Sequence, residues 1–361
     1  MVTSPPLPRV RSVGRALPNS YVDRETLLAA LHRMWATHAD GAAAGLTRLE
    51  AMHRAIGVEG RHLALPLSSY ATRRSFAERN DAWIEHASEL GERAVSDALA
   101  RAELGPRDVD HVFVVTVTGI ATPSVDARLV NRLGLRGDVK RTPIFGLGCV
   151  AGAAGTARAS DYLRGFPGEV AILLSVELCS LTFQIEDVSM TNVLASGLFG
   201  DGAAAVVFAG GARADARGPR VVASRSVFYP ATEDVMGWRV IDGGFKIFLS
   251  TAVPKLAHDH VGRDVDAFLS DQGLERKQIA HWIAHTGGPK VLEAFEAALD
   301  LPSAALARSW KSLKQLGNLS SASVLFVMAD LLESRAAAPG DYGVMLAMGP
   351  GFCSELVLLQ W

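Results

Sequence analysis

Cysteine is scarce in this chain of 361 residues, which contains three cysteines at irregular spacing. An odd number of unevenly spaced cysteines indicates neither a disulfide framework nor a zinc site. The sequence also lacks any run of about 18 apolar residues, so it predicts no membrane-spanning helix. Its first residues include two arginines but no apolar stretch long enough for a secretory signal peptide. We therefore expect a soluble protein of a reducing compartment, the cytoplasm.

An excess of charge of one sign is also absent. The formal net charge is −2, and no tract of lysine and arginine runs along the chain. The sequence therefore predicts no contact with nucleic acid or with an anionic membrane surface. Apolar residues are abundant instead: they make up 49% of the chain, against 20% charged residues. That composition supports a large hydrophobic core, in two domains or in one duplicated unit.

The character of the sequence changes near residue 112. Before it, apolar side chains recur at helical spacing in an otherwise polar sequence, as in the segment 75–102. From residue 112 onward, short apolar runs rich in β-branched residues alternate with further helical patterns. Such runs are typical of strands that are buried on both faces by covering helices. The pattern predicts an α/β fold.

Two blocks of the sequence share one pattern. Cys149 opens a helix of small residues that leads to Gly168 and the strand VAILLSVEL. Asn318 opens a helix rich in Ser, Ala and Val that leads to Gly340 and the strand GVMLAM. The repeat predicts two related halves, residues 1–215 and 216–361, each with a buried central helix. A pseudo-twofold arrangement would bring both helix starts to one site.

Cys149 is the residue whose surroundings point most clearly to chemistry. An apolar run and a glycine turn precede it, and a stretch typical of a buried helix follows. The free N–H groups and the positive dipole end of a helix stabilise negative charge, so they lower the pKa of a thiol placed there. A lone cysteine is nevertheless more often a core residue. Two later motifs, HWIAHTGGP and GNLSSASVLF, favour a reactive role.

Five motifs together resemble the type III polyketide synthases, which are relatives of chalcone synthase. They follow one another in family order between residues 75 and 361: GLGCVAGAAGTAR, SGLFGDGAAAVV, HWIAHTGGPKVLE, GNLSSASVLF and MGPGFCSELVLLQW. The segment MGWRVIDGG is similar to the bacterial branch. The resemblance implies the thiolase fold, a duplicated five-layered αβαβα architecture with pseudo-twofold halves. It also implies a homodimer that uses an acyl-CoA starter and malonyl-CoA, without a metal or redox cofactor.

In this resemblance Cys149 is the nucleophile, His285 its partner and Asn318 the third catalytic residue. A thiolate attacks the thioester of the starter and holds the acyl group, and a nearby imidazole keeps the thiol ionised as an ion pair. Loss of carbon dioxide from malonyl-CoA leaves an enolate, whose oxygen accepts hydrogen bonds from the imidazole and the amide. We also expect the side-chain oxygen of Asn318 to cap the helix that it opens.

The resemblance also assigns residues to the reaction chamber. Phe199 matches the gatekeeper phenylalanine between the coenzyme A tunnel and the chamber. Ile247 stands where many relatives have a second phenylalanine, and an aliphatic residue there predicts a more open chamber. Further positions that shape or border the cavity are Thr118, Thr182, Ser320, Gly349 and Gly351. The positions that match contacts to the phosphates of coenzyme A are Arg48 and Arg54.

The predicted product is an alkylpyrone or an alkylresorcinol, made from a fatty or branched acyl starter and malonyl units. Three alternatives stay open. A chain-initiating β-ketoacyl-acyl-carrier-protein synthase, of the type III kind, uses the same trio of side chains. A degradative thiolase needs a second cysteine, for which Cys353 lies late enough in the sequence. The third alternative is a catalytically silent scaffold, which the retention of all three polar residues disfavours.

Overall fold

The computed structural model describes residues 6–38, 43–213, 215 and 217–361. Its strands are, in chain order, β1 (Arg9–Ala16), β2 (Ser20–Asp23), β3 (Gly60–Leu63), β4 (His111–Thr116), β5 (Lys140–Phe145), β6 (Val170–Leu178), β7 (Asp201–Ala209), β8 (Arg220–Phe228), β9 (Met236–Ile241), β10 (Gly244–Leu249), β11 (Ile279–Ala284), β12 (Tyr342–Gly349) and β13 (Cys353–Gln360). Its helices are α1 (Arg24–His38), α2 (Ala43–Ile56), α3 (Phe76–Ala102), α4 (Val125–Leu133), α5 (Ala151–Gly165), α6 (Met190–Leu198), α7 (Val253–Ser270), α8 (Pro289–Leu299), α9 (Ala307–Leu316) and α10 (Ser323–Ser334).

Nine of these strands form one mixed sheet in the order β5-β4-β6-β7-β1-β8-β13-β12-β11. The first five come from the N-terminal part of the chain and the last four from the C-terminal part. β4 is parallel to both of its neighbours, and β11 is parallel to β12, whereas the other neighbours are antiparallel. The two sets of strands meet where β1 and β8 pair through Arg9 and Arg220.

Helices cover both faces of each set of strands. α3 and α4 pack on one face of the first set, and α7 and α8 pack on the outer face of the second. α5 and α10 lie between the two sets, and their side chains join both in one buried cluster. The layers therefore follow the order α, β, α, β, α. This confirms the predicted five-layered α/β architecture.

Small residues allow the central helices to approach each other closely. A Cβ at Gly152 of α5 would lie 2.3 Å from the carbonyl oxygen of Ser321, just before α10. Only glycine avoids that clash. The close approach brings together the short 3-10 turns that precede the two helices, Gly148–Val150 and Ser320–Ala322. The prediction that both helix starts meet at one place is therefore confirmed.

The long apolar runs of the sequence are strands of the core rather than spanning helices. Every residue of β6 and β7 is buried, because α3 covers one face of these strands and α5 lies on the other. β5, at the edge of the sheet, is partly exposed. No helix of the described ranges is long and apolar enough to cross a lipid bilayer.

Candidate active site

Cys149, His285 and Asn318 line one cavity of about 580 Å³. Cys149 comes from the turn before α5, Asn318 precedes the turn that opens α10, and His285 follows β11. These residues are far apart in the sequence but meet because both central helices start at the same end of the central layer. The structure therefore brings together the three residues that the sequence analysis assigns to catalysis.

The turn that carries Cys149 is tight and depends on glycine. Gly148 has a φ of +55°, and a Cβ at this position would lie 2.6 Å from Cγ of Pro350. The thiol of Cys149 donates to the hydroxyl oxygen of Ser320 across 3.7 Å. Ser320, predicted to shape the cavity, therefore contacts the sulfur itself.

The glycines at the end of β12 and just after it pack closely against neighbouring parts of the chain. A Cβ at Gly349 would lie 2.8 Å from the backbone nitrogen of Val150, so this glycine permits contact with the Cys149 turn. Gly351 has a φ of +79° and lies beside the ring of Phe228. Neither glycine is among the residues that line the cavities described here, whereas Pro350 is. Both glycines thus pack against neighbouring protein, and their place at the border of the chamber stays a prediction.

Asn318 uses its two side-chain groups for different purposes. Its Oδ1 accepts from the backbone N–H of Ser320 at 2.8 Å and from the hydroxyl of Ser323 at 3.4 Å. This confirms that the oxygen caps the start of the helical turn. The amide nitrogen is left for the cavity, where a hydrogen bond from this side chain helps to stabilise the thiolate form of Cys149.

The backbone of His285 is hydrogen-bonded, whereas its imidazole ring has no hydrogen-bond partner among the described residues. Its N–H donates to the carbonyl oxygen of Leu346 at 2.8 Å, and the residue is 2% exposed. Neither Nδ1 nor Nε2 has a hydrogen-bond partner among the described residues. Burial lowers the pKa of the imidazole to about 4, so the ring is neutral at neutral pH. A neutral ring offers one nitrogen as a proton acceptor and the other as a donor.

The thiol of Cys149 is also favoured in its neutral form. Burial raises its pKa to about 12, and Glu177 adds to that effect, while hydrogen bonds from Ser320 and Asn318 oppose it. The sequence analysis predicted an ion pair between Cys149 and His285. Burial opposes this ion pair, because removal of both groups from water disfavours their charged forms, and the ion pair stays a prediction.

If the Cys149 thiol and the His285 imidazole are both neutral, alkylation of Cys149 should depend strongly on pH. We expect the rate of modification by iodoacetamide to rise by about tenfold per pH unit between pH 6 and pH 9, because the thiolate fraction rises in that proportion below a raised pKa. Peptide mass spectrometry separates Cys149 from Cys179 and Cys353. A rate that is already constant at neutral pH would show that the ion pair is present after all.

Glu177 was not singled out by the sequence analysis, although it is an isolated acid in the apolar strand β6. Its buried carboxylate accepts from the Thr118 hydroxyl at 2.9 Å, the Val117 N–H at 3.1 Å and the Ser321 hydroxyl at 2.5 Å. Thr118 also accepts from the indole N–H of Trp83. Thr118 is thus hydrogen-bonded to Glu177 and is not among the residues that line the three cavities described here, so its role in shaping the chamber stays a prediction.

Phe199 lies where the cavity divides. It lines the outer cavity and also two small inner cavities of about 40 and 60 Å³. Ile247 lines both inner cavities, but it pairs across the β9–β10 ladder with Trp238, which lines them too. Both side chains therefore border the same inner cavities, and a more open chamber at Ile247 stays a prediction.

Thr182 and the two remaining cysteines differ in their relation to the cavities. Thr182 lines the inner cavity of about 60 Å³, as predicted, and its hydroxyl donates to the carbonyl oxygen of Cys179 at 2.7 Å. Cys179 lines both inner cavities. Cys353, which a degradative thiolase would need, has its sulfur 3.5 Å from the Pro350 carbonyl oxygen and lines none of the described cavities.

Two cations lie at the wall of the outer cavity. Arg48 lines it, as the sequence analysis predicts, and so does Lys290 in the first turn of α8, which that analysis missed. Neither has an ion-pair partner among the described residues. Arg54 does not line the cavity; its guanidinium donates to Glu25 at 3.3 Å on the surface. The prediction of a ligand contact therefore has structural support at Arg48 and none at Arg54.

The polar groups of the site do not resemble a metal centre. Within the described ranges, no three His, Cys, Asp or Glu side chains lie close enough together to hold a metal ion. The three predicted catalytic residues contribute a thiol, an imidazole and an amide to the outer cavity. These groups suit a covalent thioester and hydrogen bonds to a developing oxyanion.

Comparison with known proteins gives the same family for both halves. Residues 6–212 match the N-terminal domain of chalcone and stilbene synthases, and residues 220–361 match the C-terminal domain. The chain is 47% identical to a 1,3,6,8-tetrahydroxynaphthalene synthase of Streptomyces peucetius, over 95% of each chain. It is 34% identical to a phloroglucinol synthase of Pseudomonas fluorescens, over 84% of this chain and 86% of the relative.

The solved structures agree with the sequence relatives. The crystal structure of 1,3,6,8-tetrahydroxynaphthalene synthase from Streptomyces coelicolor, a bacterial type III polyketide synthase, superposes with a TM-score of 0.91 at 29% identity. The superposition covers 98% of this chain and 99% of that one. These matches favour a polyketide synthase over the chain-initiating β-ketoacyl-acyl-carrier-protein synthase. The chain belongs to the chalcone and stilbene synthase family and is an acyl-transferring condensing enzyme of the type III polyketide synthase class.

Proposed function

We propose that this enzyme condenses malonyl-CoA units into a small aromatic polyketide of the tetrahydroxynaphthalene type. The observation that carries the proposal is the relative at 47% identity, which spans nearly the whole chain and is named for that product. The free imidazole and amide groups that face Cys149 suit the chemistry. The limited space beyond Phe199 suits a compact product.

In the proposed reaction Cys149 takes up the first acyl group. His285 accepts the thiol proton as the sulfur attacks the thioester carbon of the CoA substrate. The tetrahedral intermediate collapses, coenzyme A leaves with the proton from His285, and the acyl group stays on Cys149 as a thioester. Because burial favours the neutral thiol and the neutral ring, the proton moves only once a substrate is in place.

His285 and Asn318 then act on malonyl-CoA. The bond to the carboxylate breaks, carbon dioxide leaves, and the electron pair forms an enolate on the thioester oxygen. The N–H of His285 and the amide of Asn318 donate to that oxygen, and one such donor contributes about 3–4 kcal/mol to the transition state. The enolate carbon attacks the acyl carbon on Cys149, which releases the thiolate and lengthens the chain by one two-carbon unit.

The inner cavities offer little room for a long alkyl chain. Tetrahydroxynaphthalene has ten ring carbons, which correspond to five two-carbon units. An alkylpyrone, the product that the sequence analysis predicts, needs additional room for its alkyl chain. Beyond Phe199 the inner cavities measure about 40 and 60 Å³, on the order of a few water molecules. Trp238 and Ile247 line both of these cavities.

The product is tested by supplying the purified enzyme with malonyl-CoA alone, or with malonyl-CoA and hexanoyl- or lauroyl-CoA. Liquid chromatography with mass spectrometry identifies the products. We expect tetrahydroxynaphthalene, or its oxidation product, from malonyl-CoA alone, and none from Cys149→Ala. Condensation that requires the acyl starter and yields alkylpyrones would contradict the proposal and would support the alkylpyrone product that the sequence analysis predicts.

Arg48 and Lys290 are proposed to bind the phosphates of coenzyme A. We expect Arg48→Ala and Lys290→Ala each to raise KM for malonyl-CoA by about tenfold with little change in kcat, because a charged hydrogen bond to a remote phosphate stabilises ground state and transition state alike. Arg54→Ala is the matched control, since Arg54 lies on the neighbouring surface and binds Glu25. An equal rise of KM in all three variants would mean that only the overall surface charge matters.

We further propose that the enzyme works as a homodimer in the cytoplasm, without a metal or redox cofactor. The family resemblance supports the dimer, and a reducing compartment would keep the Cys149 thiol free. The steps above need only acid–base groups and CoA thioesters. The proposed division of the chain near residue 215 is supported by β7, which ends at Ala209, and β8, which begins at Arg220.

A further inference from the structure

The C-terminal end of α6 forms a wall of the reaction chamber. Phe199 follows this helix directly and lines all three cavities. We call residues 196–200 the gate segment. An α-helix leaves the carbonyl groups of its last turn without partners inside the helix. The position of Phe199 therefore depends on the groups that bind the carbonyls of the gate segment.

Arg61 of β3 binds three of these carbonyl groups. Its guanidinium donates to Ser196 at 2.7 Å, to Gly197 at 2.7 Å and to Phe199 at 3.1 Å. The residue is 1% exposed, so these bonds are shielded from water. A planar guanidinium can hold several acceptors at fixed angles, which the single ammonium group of lysine cannot do.

The charge of Arg61 is compensated inside the core. A buried cation is costly unless negative charge lies nearby. The dipole of α6 places partial negative charge at its C-terminal end, and the carboxylate of Asp201 adds to it. Burial lowers the pKa of Arg61 to about 10, which still leaves the guanidinium protonated at neutral pH. The contact to the gate segment is therefore a charge-assisted one.

Asn318 binds the gate segment from the other side. Its backbone N–H donates to the carbonyl oxygen of Leu198 at 2.8 Å, and its carbonyl oxygen accepts from the N–H of Gly200 at 3.0 Å. These bonds form a short parallel bridge between Phe199 and Asn318. The last-turn carbonyls of α6 are thus shared between the side chain of Arg61 and the backbone of Asn318. A shift of the gate segment would displace Asn318 as well.

We propose that Arg61 is a positioning residue of the condensation, which holds Phe199 and Asn318 in place relative to Cys149. This inference rests on the proposed function of the site. Arg61 lines the inner cavity of about 60 Å³ but neither of the cavities that Cys149 lines, so we assign its effect to the carbonyl groups of the gate segment. Displacement of a reacting group by about 1 Å can cost on the order of 100-fold in rate. A loosened gate segment should therefore slow each extension and let short chains leave early.

Arg61→Lys tests this role because it keeps the positive charge and removes the planar fork. With malonyl-CoA as substrate, we measure kcat, KM and the ratio of early-released lactones to the full-length product. We expect kcat to fall by about tenfold and the ratio to rise by about fivefold or more, while KM changes by less than about twofold. We expect little change in KM because Arg61 does not line the outer cavity, where Arg48 and Lys290 lie.

Arg276→Lys is the matched control. Arg276 also binds two backbone carbonyl groups, Ala298 and Gly262, at 3.1 Å each, and it pairs with Asp266. It does not line the described cavities. Its replacement should lower the melting temperature without changing the product ratio.

The product ratio does not depend on the amount of folded enzyme, so a destabilised variant still gives an answer. Arg61→Gln provides a second variant. The double variant Arg61→Lys with Phe199→Leu should change the product ratio by less than the product of the two single effects, since both substitutions act on the gate segment. An unchanged product ratio in both Arg61 variants, or an equal change of the ratio in Arg276→Lys, would overturn this inference but would leave the proposed function standing. A wild-type enzyme that makes no polyketide from malonyl-CoA would overturn the proposed function together with it.

Discussion

Replacement of Cys149 by alanine is expected to abolish polyketide formation, with a loss on the order of 10⁴-fold or more. The sulfur is the atom that would hold the growing chain, and no neighbouring group replaces it. Cys179 lines the adjacent inner cavity, but its pKa is raised well above the usual value by burial. The enzyme would therefore lose its covalent intermediate without gaining a second nucleophile.

The same variant should keep part of its activity toward malonyl-CoA. Decarboxylation requires donors to the enolate oxygen, and His285 and Asn318 both remain in the cavity. We expect Cys149→Ala to release carbon dioxide and acetyl-CoA from malonyl-CoA, which a coupled assay for acetyl-CoA measures. Cys353→Ala is the control, since this thiol lies outside the described cavities. Full condensing turnover without the Cys149 sulfur would contradict the assigned chemistry.

Replacement of Asn318 by aspartate is expected to lower both decarboxylation and condensation by about 10²- to 10³-fold. A carboxylate would still accept from the Ser320 N–H and the Ser323 hydroxyl, so the helix cap survives. Its second oxygen would replace the amide donor and place negative charge where the enolate forms. The expected signature is a large loss of kcat in an enzyme that remains folded.

Asn318→Ala separates the loss of the donor from the added charge. It removes the acceptor of the buried Ser320 N–H, which should cost about 1–3 kcal/mol of stability. Thermal unfolding and the rate of decarboxylation distinguish the two variants: aspartate should be the more stable and the less active. Equal decarboxylation rates in Asn318→Asp and wild type would remove Asn318 from the proposed mechanism.

The fold could be predicted because local patterns and layers agree in this chain. The apolar strand β6 is buried along its whole length, and α5, composed of small residues, lies in the central layer. Gly152 shows the reason, since a side chain there would strike the backbone before α10. The meeting of the two helix starts followed from this repeat. The pairing of each residue with its neighbour on the next strand could not be predicted from this repeat.

The lining of the chamber was harder to predict than the three polar residues. Ile247 suggested an open chamber, but the sequence did not reveal that the hairpin pairs it with Trp238, a large side chain that lines the same cavity. Thr118 is directed toward Glu177, an acid inside an apolar strand. Arg61 gave no signal as an isolated arginine in a short strand, because its contacts come from a helix about 135 residues further along the chain.

The sequence by itself determined the succession of strands and helices, because this succession depends on residue type and spacing along the chain. The resemblance of its motifs to a known family identified the three residues that meet in the outer cavity. The tertiary structure alone decided the protonation of Cys149 and His285, the size of the inner cavities and the support of Phe199 by Arg61. Desolvation, cavity volume and a buried cation's partners all depend on atoms that are distant in sequence and adjacent in space.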